Sequence, residues 1–246
     1  MMQKLITILV MFALLSCGSK NEENTSSAGA IKNSCIADLV ESNEIEKMLT
    51  KEQLAVTVDI ESGEIEMKDN KSGSAKYSTV AYNWEPAEER YFIMETKIPA
   101  GAGGETEVIE TKTKAVNKVS FGQVEVFGEK IEDPQEYFRY TYGPKTAEEK
   151  EKIKEQVDKS QKTSDKVDKK SAETIKKMLD KENSTELEVG DMAFWSKVSY
   201  ANVTEAKIRV LHGNTMFTVS ADVSENIEED LEVAKRVAAQ IIANCD

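Results

Sequence analysis

The sequence of 246 residues contains few of the patterns on which common active sites depend. Its only histidine, His212, stands beside Gly213 and Asn214, and the chain has no Gly-x-Ser-x-Gly, no His-Glu-x-x-His and no Cys-x-x-Cys. A Ser-His-Asp hydrolase and a histidine-based zinc site therefore lack the residues they need. We expect His212 to be a surface residue at a turn, and we expect no catalytic residue, no metal site and no cofactor.

The sequence also lacks motifs for calcium binding and phosphate binding, and no pair of acidic residues stands out as catalytic. No Asp-x-Asp-x-Asp-Gly loop is present. The glycine-rich stretch 101–104 lacks the Lys-Ser/Thr pair and the helix start of a phosphate-binding loop, so it predicts a loop between strands. The 45 acidic residues leave open an enzyme that uses two carboxylates, although nothing in the sequence marks such a pair.

Acidic residues outnumber basic ones, and the formal net charge is −13. This balance argues against nucleic acid as a partner and against electrostatic adsorption to anionic lipid. Hydrophobic residues make up 39% of the chain, so it can bury a core. The length predicts one compact domain, which we place at residues 34–246, with two small domains as the alternative.

The long apolar run of the chain lies at the N-terminus. Lys4 precedes apolar residues 5–15, and the sequence Leu-Leu-Ser-Cys ends at Cys17. Positive charge, an apolar core and a small residue before a cleavage site predict a signal peptide over residues 1–16. The run is shorter than the roughly 20 residues of a membrane-spanning helix. An uncleaved anchor, or an ordinary signal peptide with a coincidental cysteine, is the alternative.

This segment resembles the lipobox of bacterial lipoproteins, and the resemblance implies that Cys17 begins the mature protein and carries a lipid. Residues 17–33 are rich in Ser, Asn and Glu, which predicts a flexible tether. Its Lys20 and the acidic pair at 22–23 resemble export signals of Bacteroidota surface lipoproteins. We expect a lipid-anchored protein of the cell envelope, at the outer membrane. The expected partners are the membrane, through the lipid, and an envelope protein or small ligand.

Two cysteines remain besides Cys17. Cys35 lies near the start of the expected domain and Cys245 near its end. In an exported protein, an even number of remaining cysteines is typical of a disulfide. Such a bridge would join the first helix to the last. Two unpaired thiols, or a bond between two molecules, are the alternatives that the sequence leaves open.

The pattern of apolar residues in the first part of the domain predicts helices followed by strands. Residues 35–50 have the periodicity of a helix in two pieces, with Ser42 as the cap of the second piece. Residues 54–60 alternate loosely and predict a first strand. A further strand is predicted over residues 116–127.

Alternating apolar residues between these strands predict a hairpin. With Trp84 opposite Arg90, one face of the hairpin becomes apolar and aromatic throughout. The same register sets Tyr82 opposite Phe92 and Val80 opposite Met94.

Residues 145–183 have a different composition, with 12 Lys, 10 acidic residues and no Gly, Pro or aromatic residue. The sparse apolar residues form a thin helical stripe, which predicts one or two solvated helices inserted into the domain. A coiled coil is the alternative, but the apolar seam is broken.

The last part of the chain predicts a hairpin and a helix. With Gly213-Asn214 as the turn, Val210 faces Phe217, Ile208 faces Val219, Arg209 faces Thr218 and Lys207 faces Ser220. The final helix would begin after Asn226 as N-cap, with Glu229 in a capping-box position. The predicted fold class is α+β: an antiparallel sheet with the N- and C-terminal helices packed on one face, plus the charged helical insert.

Several segments in this order resemble a known group of proteins. They are Cys-Ile-Ala-Asp-Leu-Val from Cys35, Tyr-Asn-Trp ending at Trp84, Gly-Asp-Met-Ala-Phe-Trp ending at Trp195, the Gly213 hairpin and the terminal helix. The order resembles small Bacteroidota lipoproteins and, more distantly, actinobacterial exported lipoproteins and the PsbP-like α/β sandwich. The resemblance implies ligand binding or assistance to other exported proteins, and no catalytic residue. Those families often carry a cysteine next to the mid-chain tyrosine, where this chain has Ala81.

Large aromatic residues are the candidate ligand contacts, namely Trp84, Phe194 and Trp195. The competing interpretation is that these residues anchor the core of the sheet. The sequence therefore predicts a lipid-anchored, non-catalytic binding or accessory module. An envelope hydrolase that uses carboxylates and a scaffolding subunit with the charged insert as its contact arm are the alternatives.

Overall fold

Strands with apolar residues at every second position build the centre of the fold. In strand β5, Asn117–Val126, Val119 and Phe121 are buried, whereas Lys118 is exposed and Ser120 is half-buried. Because successive side chains of a strand point to opposite faces, this alternation gives the sheet one apolar face. The structure, a computed structural model, describes residues 35–98, 107–128, 130–163, 169–181, 184–200 and 203–245. The predicted signal peptide, Cys17, the tether and the glycine-rich stretch 101–104 lie outside the described residues.

Seven strands form one antiparallel sheet in the order β1-β2-β5-β9-β8-β7-β6, and two more form a separate ribbon, β3-β4. The strands are β1 Glu66–Asn70, β2 Thr79–Trp84, β3 Arg90–Ile98, β4 Glu107–Ala115, β5 Asn117–Val126, β6 Ser184–Leu187, β7 Met192–Tyr200, β8 Val203–His212 and β9 Thr215–Asp222.

Helices at both ends of the domain cover the apolar face of the sheet, which we call the inner face. The α-helices of the described residues are α1 Cys35–Glu41, α2 Lys51–Val58, α3 Pro134–Tyr142, α4 Ala147–Thr163, α5 Lys169–Lys181 and α6 Ile227–Ala243. Residues of α1, α2 and α6 share one buried cluster with β2, β5, β8 and β9. The predicted α+β class, with terminal helices on one face and a charged helical insert, is confirmed.

The predicted β8–β9 hairpin has the expected register. Val210 pairs with Phe217 and Lys207 pairs with Ser220. The prediction succeeds because a two-residue turn at Gly213, whose φ is +59°, leaves a single register that separates apolar from polar residues.

The predicted hairpin between β2 and β3 is wrong. β2 pairs instead with β1 and β5, so that Tyr82 lies opposite Val119 and Trp84 opposite Asn117. β3 leaves the sheet and pairs with β4, which sets Phe92 opposite Thr113. Alternation along a strand identifies its apolar face but not its partner, and β5 offers the apolar neighbours that β2 needs.

The predicted strand at residues 54–60 is also wrong, because residues 54–58 belong to helix α2, which ends at Val58. Thr50 and Gln53 form a capping box: Gln53 N–H donates to Thr50 Oγ1 at 3.3 Å, and Thr50 N–H donates to Gln53 Oε1 at 2.8 Å. Ser42 does not cap a second helix; its hydroxyl donates to the Leu39 carbonyl oxygen, and the following Ile45–Met48 segment is a short 3-10 helix.

Helix α6 begins as predicted at Asn226, whose side-chain oxygen accepts from Glu228 N–H at 3.0 Å. The capping-box role of Glu229 is wrong, since the hydroxyl of Ser224 accepts the hydrogen bond from Asn226 N–H. The buried residues of α6 include Leu231, Ala234, Ala238 and Ile241, whose spacing places them on one face of the helix.

A disulfide joins Cys35 to Cys245, in agreement with the expected pairing. It connects the first residue of α1 with the end of the chain beyond α6. Residues Asn33–Asp246 form one compact unit.

Candidate ligand-binding site

The three aromatic residues predicted as ligand contacts do not converge. Trp84 ends β2 on the inner face and is 6% exposed. Trp195 is half-buried and packs against the buried cluster of the inner face. It lies on β7, which is two strands beyond β9 in the sheet. Phe194, its neighbour in sequence, is buried in a second cluster on the opposite face of the sheet, which we call the outer face.

The second cluster makes Phe194 a core residue. Helix α3 crosses one end of the outer face, and the ring of its Phe138 stacks on Phe194 with centroids 5.5 Å apart. Leu211 and Met216 complete this cluster from the β8–β9 hairpin. Phe194 therefore anchors α3 to the sheet.

Trp84 differs from the other two because it forms one wall of a pocket of about 280 Å³. The pocket lies between the sheet and the terminal helices. Its side chains are largely apolar, and Glu64 and Glu85 are the acidic residues among them. The apolar residues around Trp84 are Val58, Ile60, Ala87, Val223 and Val233.

Asn117 contributes the amide group of this pocket. It begins β5 directly opposite Trp84, so both side chains belong to the inner face. It is 9% exposed, and its Oδ1 has no hydrogen-bond partner among the described residues. A buried acceptor without a partner costs about 1–3 kcal/mol, which a bound ligand with a donor group would recover. We call Trp84, Asn117 and the apolar residues around them the Trp84 pocket.

A wider cleft of about 590 Å³ adjoins the Trp84 pocket and shares Ala87, Asn117 and Val223 with it. Its remaining lining is strongly acidic. Exposed carboxylates come from the β2–β3 connection and from the start of α6. These residues are Glu88, Glu89, Glu225 and Glu229.

Arg90 fixes the root of the β3–β4 ribbon beside this cleft. Its guanidinium lies 3.1 Å from the carboxylate of Asp222 and donates to the Ser224 carbonyl oxygen at 2.5 Å. The guanidinium also donates to the carbonyl oxygens of Val116 and Asp222, so most of its N–H groups have an acceptor. Its Nε has no partner among the described residues. The positive charge of Arg90 is thus neutralised within the protein.

Three carboxylates line a third cleft, of about 410 Å³, on the other side of Arg90, and two of them are bound within the protein. Asp222 is paired with Arg90, and the Oδ1 of Asp230 accepts from Val223 N–H at 2.8 Å and Ser224 N–H at 2.9 Å. Burial raises the pKa of Asp230, the two backbone N–H groups oppose this rise, and nearby Asp222 adds to it. Asp222 and Asp230 therefore hold the chain after β9 in place.

Sequence reasoning named Trp84 but missed Asn117 and Asp230. The inward direction of Asn117 follows from the alternation with Val119 and Phe121, which the sequence displays. Its position opposite Trp84, however, depends on the β2–β5 pairing. Asp230 lies in the first turn of α6, where an acidic residue is ordinarily a solvent-exposed partner of the helix dipole.

His212 is the last residue of β8 and is half-buried, so it lies next to the turn as expected. Within the described ranges, no group of three or more His, Cys, Asp or Glu residues is arranged to hold a metal ion. No helix in that same part of the chain is long and apolar enough to cross a membrane.

Comparisons with protein-family models, with curated proteins and with solved structures found no match for this chain.

Proposed function

We propose that this chain is a lipid-anchored, non-catalytic binding protein of the bacterial cell envelope, and that it binds a small organic cation with an apolar body in the Trp84 pocket. The observation that carries the proposal is the buried Asn117 carboxamide, whose oxygen has no partner beside an apolar pocket. Small-molecule sites commonly combine apolar walls with a few polar groups that fix orientation.

The proposed positive charge of the ligand follows from the acidic cleft that adjoins the Trp84 pocket. Glu88, Glu225 and Glu229 form no ion pair with any described residue, and Arg90 beside them is already neutralised by Asp222. A cation in the cleft therefore meets uncompensated negative charge. An indole adds about 0.5–2 kcal/mol to the binding of a cation that reaches its face. An anion of the same shape would be repelled.

Attachment to the membrane is proposed through a lipid on Cys17. The lipobox-like sequence that ends at Cys17 supports it. The Cys35–Cys245 disulfide supports an exported location, because disulfides persist in oxidising compartments. Two or three acyl chains would hold the protein stably, since each buried methylene contributes about 0.8 kcal/mol.

The alternative of a carboxylate enzyme receives less support. Such an enzyme needs one carboxylate that can give a proton and a second that can act as nucleophile or base. Three carboxylates line one cleft together with Arg90. Two of them, Asp222 and Asp230, are engaged in contacts that order the backbone, and the third, Glu225, is exposed to solvent. A non-catalytic role is therefore the simpler proposal.

The test uses the fluorescence of Trp84. The chain has two tryptophans, so a full-length Trp195→Phe variant in detergent micelles reports on Trp84 alone. We would titrate it with phenethylammonium, with neutral 2-phenylethanol and with anionic 3-phenylpropanoate. These probes share an aromatic body and differ in the charge of the end group.

We expect saturable quenching or a spectral shift with phenethylammonium, a weaker response with the alcohol and none with the carboxylate. In the same background, Asn117→Ala should weaken binding about threefold to tenfold through loss of one hydrogen bond. The matched control is Asn83→Ala, which alters a half-buried asparagine of β2 outside the pocket. Equal responses to all three probes, or equal losses in the two variants, would refute the proposal.

A further inference from the structure

The outer face of the sheet carries a set of hydroxyl groups that the Trp84 pocket does not involve. Four of them, from β2, β5 and β9, line a separate cavity of about 170 Å³. Ser120 pairs with Ser220 in the sheet, and Ser220 pairs with Lys207 of β8. Paired residues of neighbouring strands share a face, so these side chains point to the same side of the sheet. The four hydroxyl residues are Thr79, Ser120, Thr218 and Ser220.

Two of these residues are largely buried, and their hydroxyl groups have no partner within the described chain. Thr218 is 5% exposed and Ser220 is 7% exposed, and neither forms a side-chain hydrogen bond with any described residue. Their oxygen atoms are accessible from the cavity, because neither belongs to the fully buried side-chain atoms that lack a partner. A hydroxyl can donate to a ligand oxygen as readily as it accepts. Both hydroxyls are therefore available to donate to the oxygen atoms of a ligand in this cavity.

Lys207 brings a positive charge to the same cavity. It is half-buried, and its ammonium has no hydrogen bond or ion pair within the described chain. Burial lowers the pKa of Lys207, nearby Arg209 lowers it further, and Glu205 opposes the decrease. An unpaired ammonium in a partly desolvated position attracts an anion strongly.

The other charged groups around the cavity do not cancel the attraction between Lys207 and an anion. Exposed Lys118 of β5 lines its rim and adds positive charge. Glu205 is the acidic residue of the lining, whereas Asp222, two residues beyond Ser220 on β9, is paired with Arg90. Two ammonium groups thus face one carboxylate in a chain whose net charge is −13.

We propose that this cavity is a second site, which binds a tetrahedral oxyanion such as phosphate or sulfate, either as a free ion or as the end group of a larger molecule. The ammonium of Lys207 supplies the charge, and Thr218 and Ser220 donate to the oxygen atoms. The cavity is too small for a drug-sized molecule, whose sites measure about 300–1,000 Å³, but it accommodates a group of five heavy atoms.

The test is calorimetric titration of the full-length chain in detergent with inorganic phosphate, inorganic sulfate and glycerol phosphate. Binding of both inorganic ions would support a free ion as the ligand. Tighter binding of glycerol phosphate would support a group carried by a larger molecule. Failure of all three to bind at millimolar concentration would overturn the proposal, and it would leave the Trp84 pocket unaffected because the two cavities share no residue.

The variants locate the site. Lys207→Met should weaken phosphate binding about tenfold or more, since hydrogen bonds to charged groups are the stronger ones. Lys207→Arg should retain most of the affinity, because it keeps the positive charge. The matched control, Lys197→Met on the neighbouring strand β7, removes an exposed lysine outside the cavity and should change nothing.

A second variant keeps the test decisive if Lys207→Met does not fold. Ser220→Ala removes one hydroxyl with little change of volume, and it should weaken phosphate binding about threefold to tenfold. Equal affinity in the wild type, Lys207→Met and Ser220→Ala would show that phosphate binds elsewhere, and would overturn the assignment.

Discussion

Arg90 shows how a single residue joins separate parts of this molecule. It begins the β3–β4 ribbon, yet its guanidinium contacts the end of β9 and the turn before α6. Its side chain is largely buried, as is that of its partner Asp222. A planar guanidinium with five donors suits this role, because it can hold several carbonyl oxygens and one carboxylate at once.

Loss of this contact should be costly. We predict that Arg90→Ala lowers the free energy of unfolding by about 3 kcal/mol, because Asp222 then stays buried without its partner. Urea denaturation followed by circular dichroism would measure the change. The control is Lys114→Ala, which breaks the exposed Lys114–Glu85 pair and should leave stability nearly unaltered. Comparable losses in the two variants would contradict this view of Arg90.

Asp230 should make stability depend on pH. Its pKa is raised in the folded protein by burial, so folding takes up a proton in the range between its unfolded pKa and its higher folded pKa. The stability that this group contributes is full below the unfolded pKa and is lost as pH rises through the folded pKa. Arg90 and Asp222 are the charged groups that modify this titration.

Two substitutions separate charge from hydrogen bonding at Asp230. Asp230→Asn keeps an oxygen for Val223 N–H and Ser224 N–H, so we predict stability equal to or above that of the wild type at pH 7 and a flatter pH profile. Asp230→Ala loses both bonds and should lower the free energy of unfolding by about 1–3 kcal/mol. Denaturation curves from pH 4 to pH 8 would measure both; an unchanged profile in Asp230→Asn would refute the assignment.

At the scale of secondary-structure elements, β5 is shaped by an irregularity in its middle. The register with β9 shifts between Gly122 and Glu125, where Gly122 has φ +139° and Gln123 has φ +52°. A Cβ atom at Gly122 would collide with the backbone of Ser78 and Thr79. Glycine is therefore required at this position so that the start of β2 can approach β5.

A pair of glycine substitutions tests this requirement. Gly122→Ala should lower the free energy of unfolding by more than about 1 kcal/mol, since both the backbone conformation and the space exclude a methyl group. Gly63→Ala is the control, because nothing lies within 4 Å of its added Cβ and its φ is not positive. Thermal unfolding of both variants would measure the difference, and equal midpoints would be inconsistent with the close approach.

The β8–β9 hairpin and α6 were predictable because their signals are local. The Gly213-Asn214 turn determines one register, and the periodic apolar residues after Asn226 determine one helix face. Strand partners that are distant in sequence have no such signal, and this is why β2 was assigned to β3 instead of β5. For the same reason the sequence indicates Trp84 as a pocket residue but not Asn117, whose position opposite Trp84 depends on the β2–β5 pairing.

At the scale of the whole molecule, the Cys35–Cys245 disulfide closes a loop with a sequence separation of 210 residues. The bond ties α1 to the chain that follows α6, so both terminal helices are held against the sheet. The side chain of Asn244 adds to this closure, because it donates to the Met48 carbonyl oxygen at 2.9 Å.

Removal of the bond should destabilise the domain without changing its fold. The chain-entropy treatment of so long a loop predicts a loss of about 5 kcal/mol in the Cys35→Ser, Cys245→Ser double variant. Denaturant unfolding of this variant, beside wild type in reductant, would measure it. The two samples should agree with each other, and a midpoint equal to that of the oxidised wild type would contradict a stabilising role for the bond.

Binding of an organic cation in the Trp84 pocket can be observed by a nuclear magnetic resonance titration of the isotope-labelled full chain with phenethylammonium. We predict that the indole N–H signal of Trp84 and the side-chain amide signals of Asn117 shift together and saturate, while the indole signal of Trp195 stays unchanged. Absence of any shift at Trp84 and Asn117, or a shift confined to Trp195, would contradict the account.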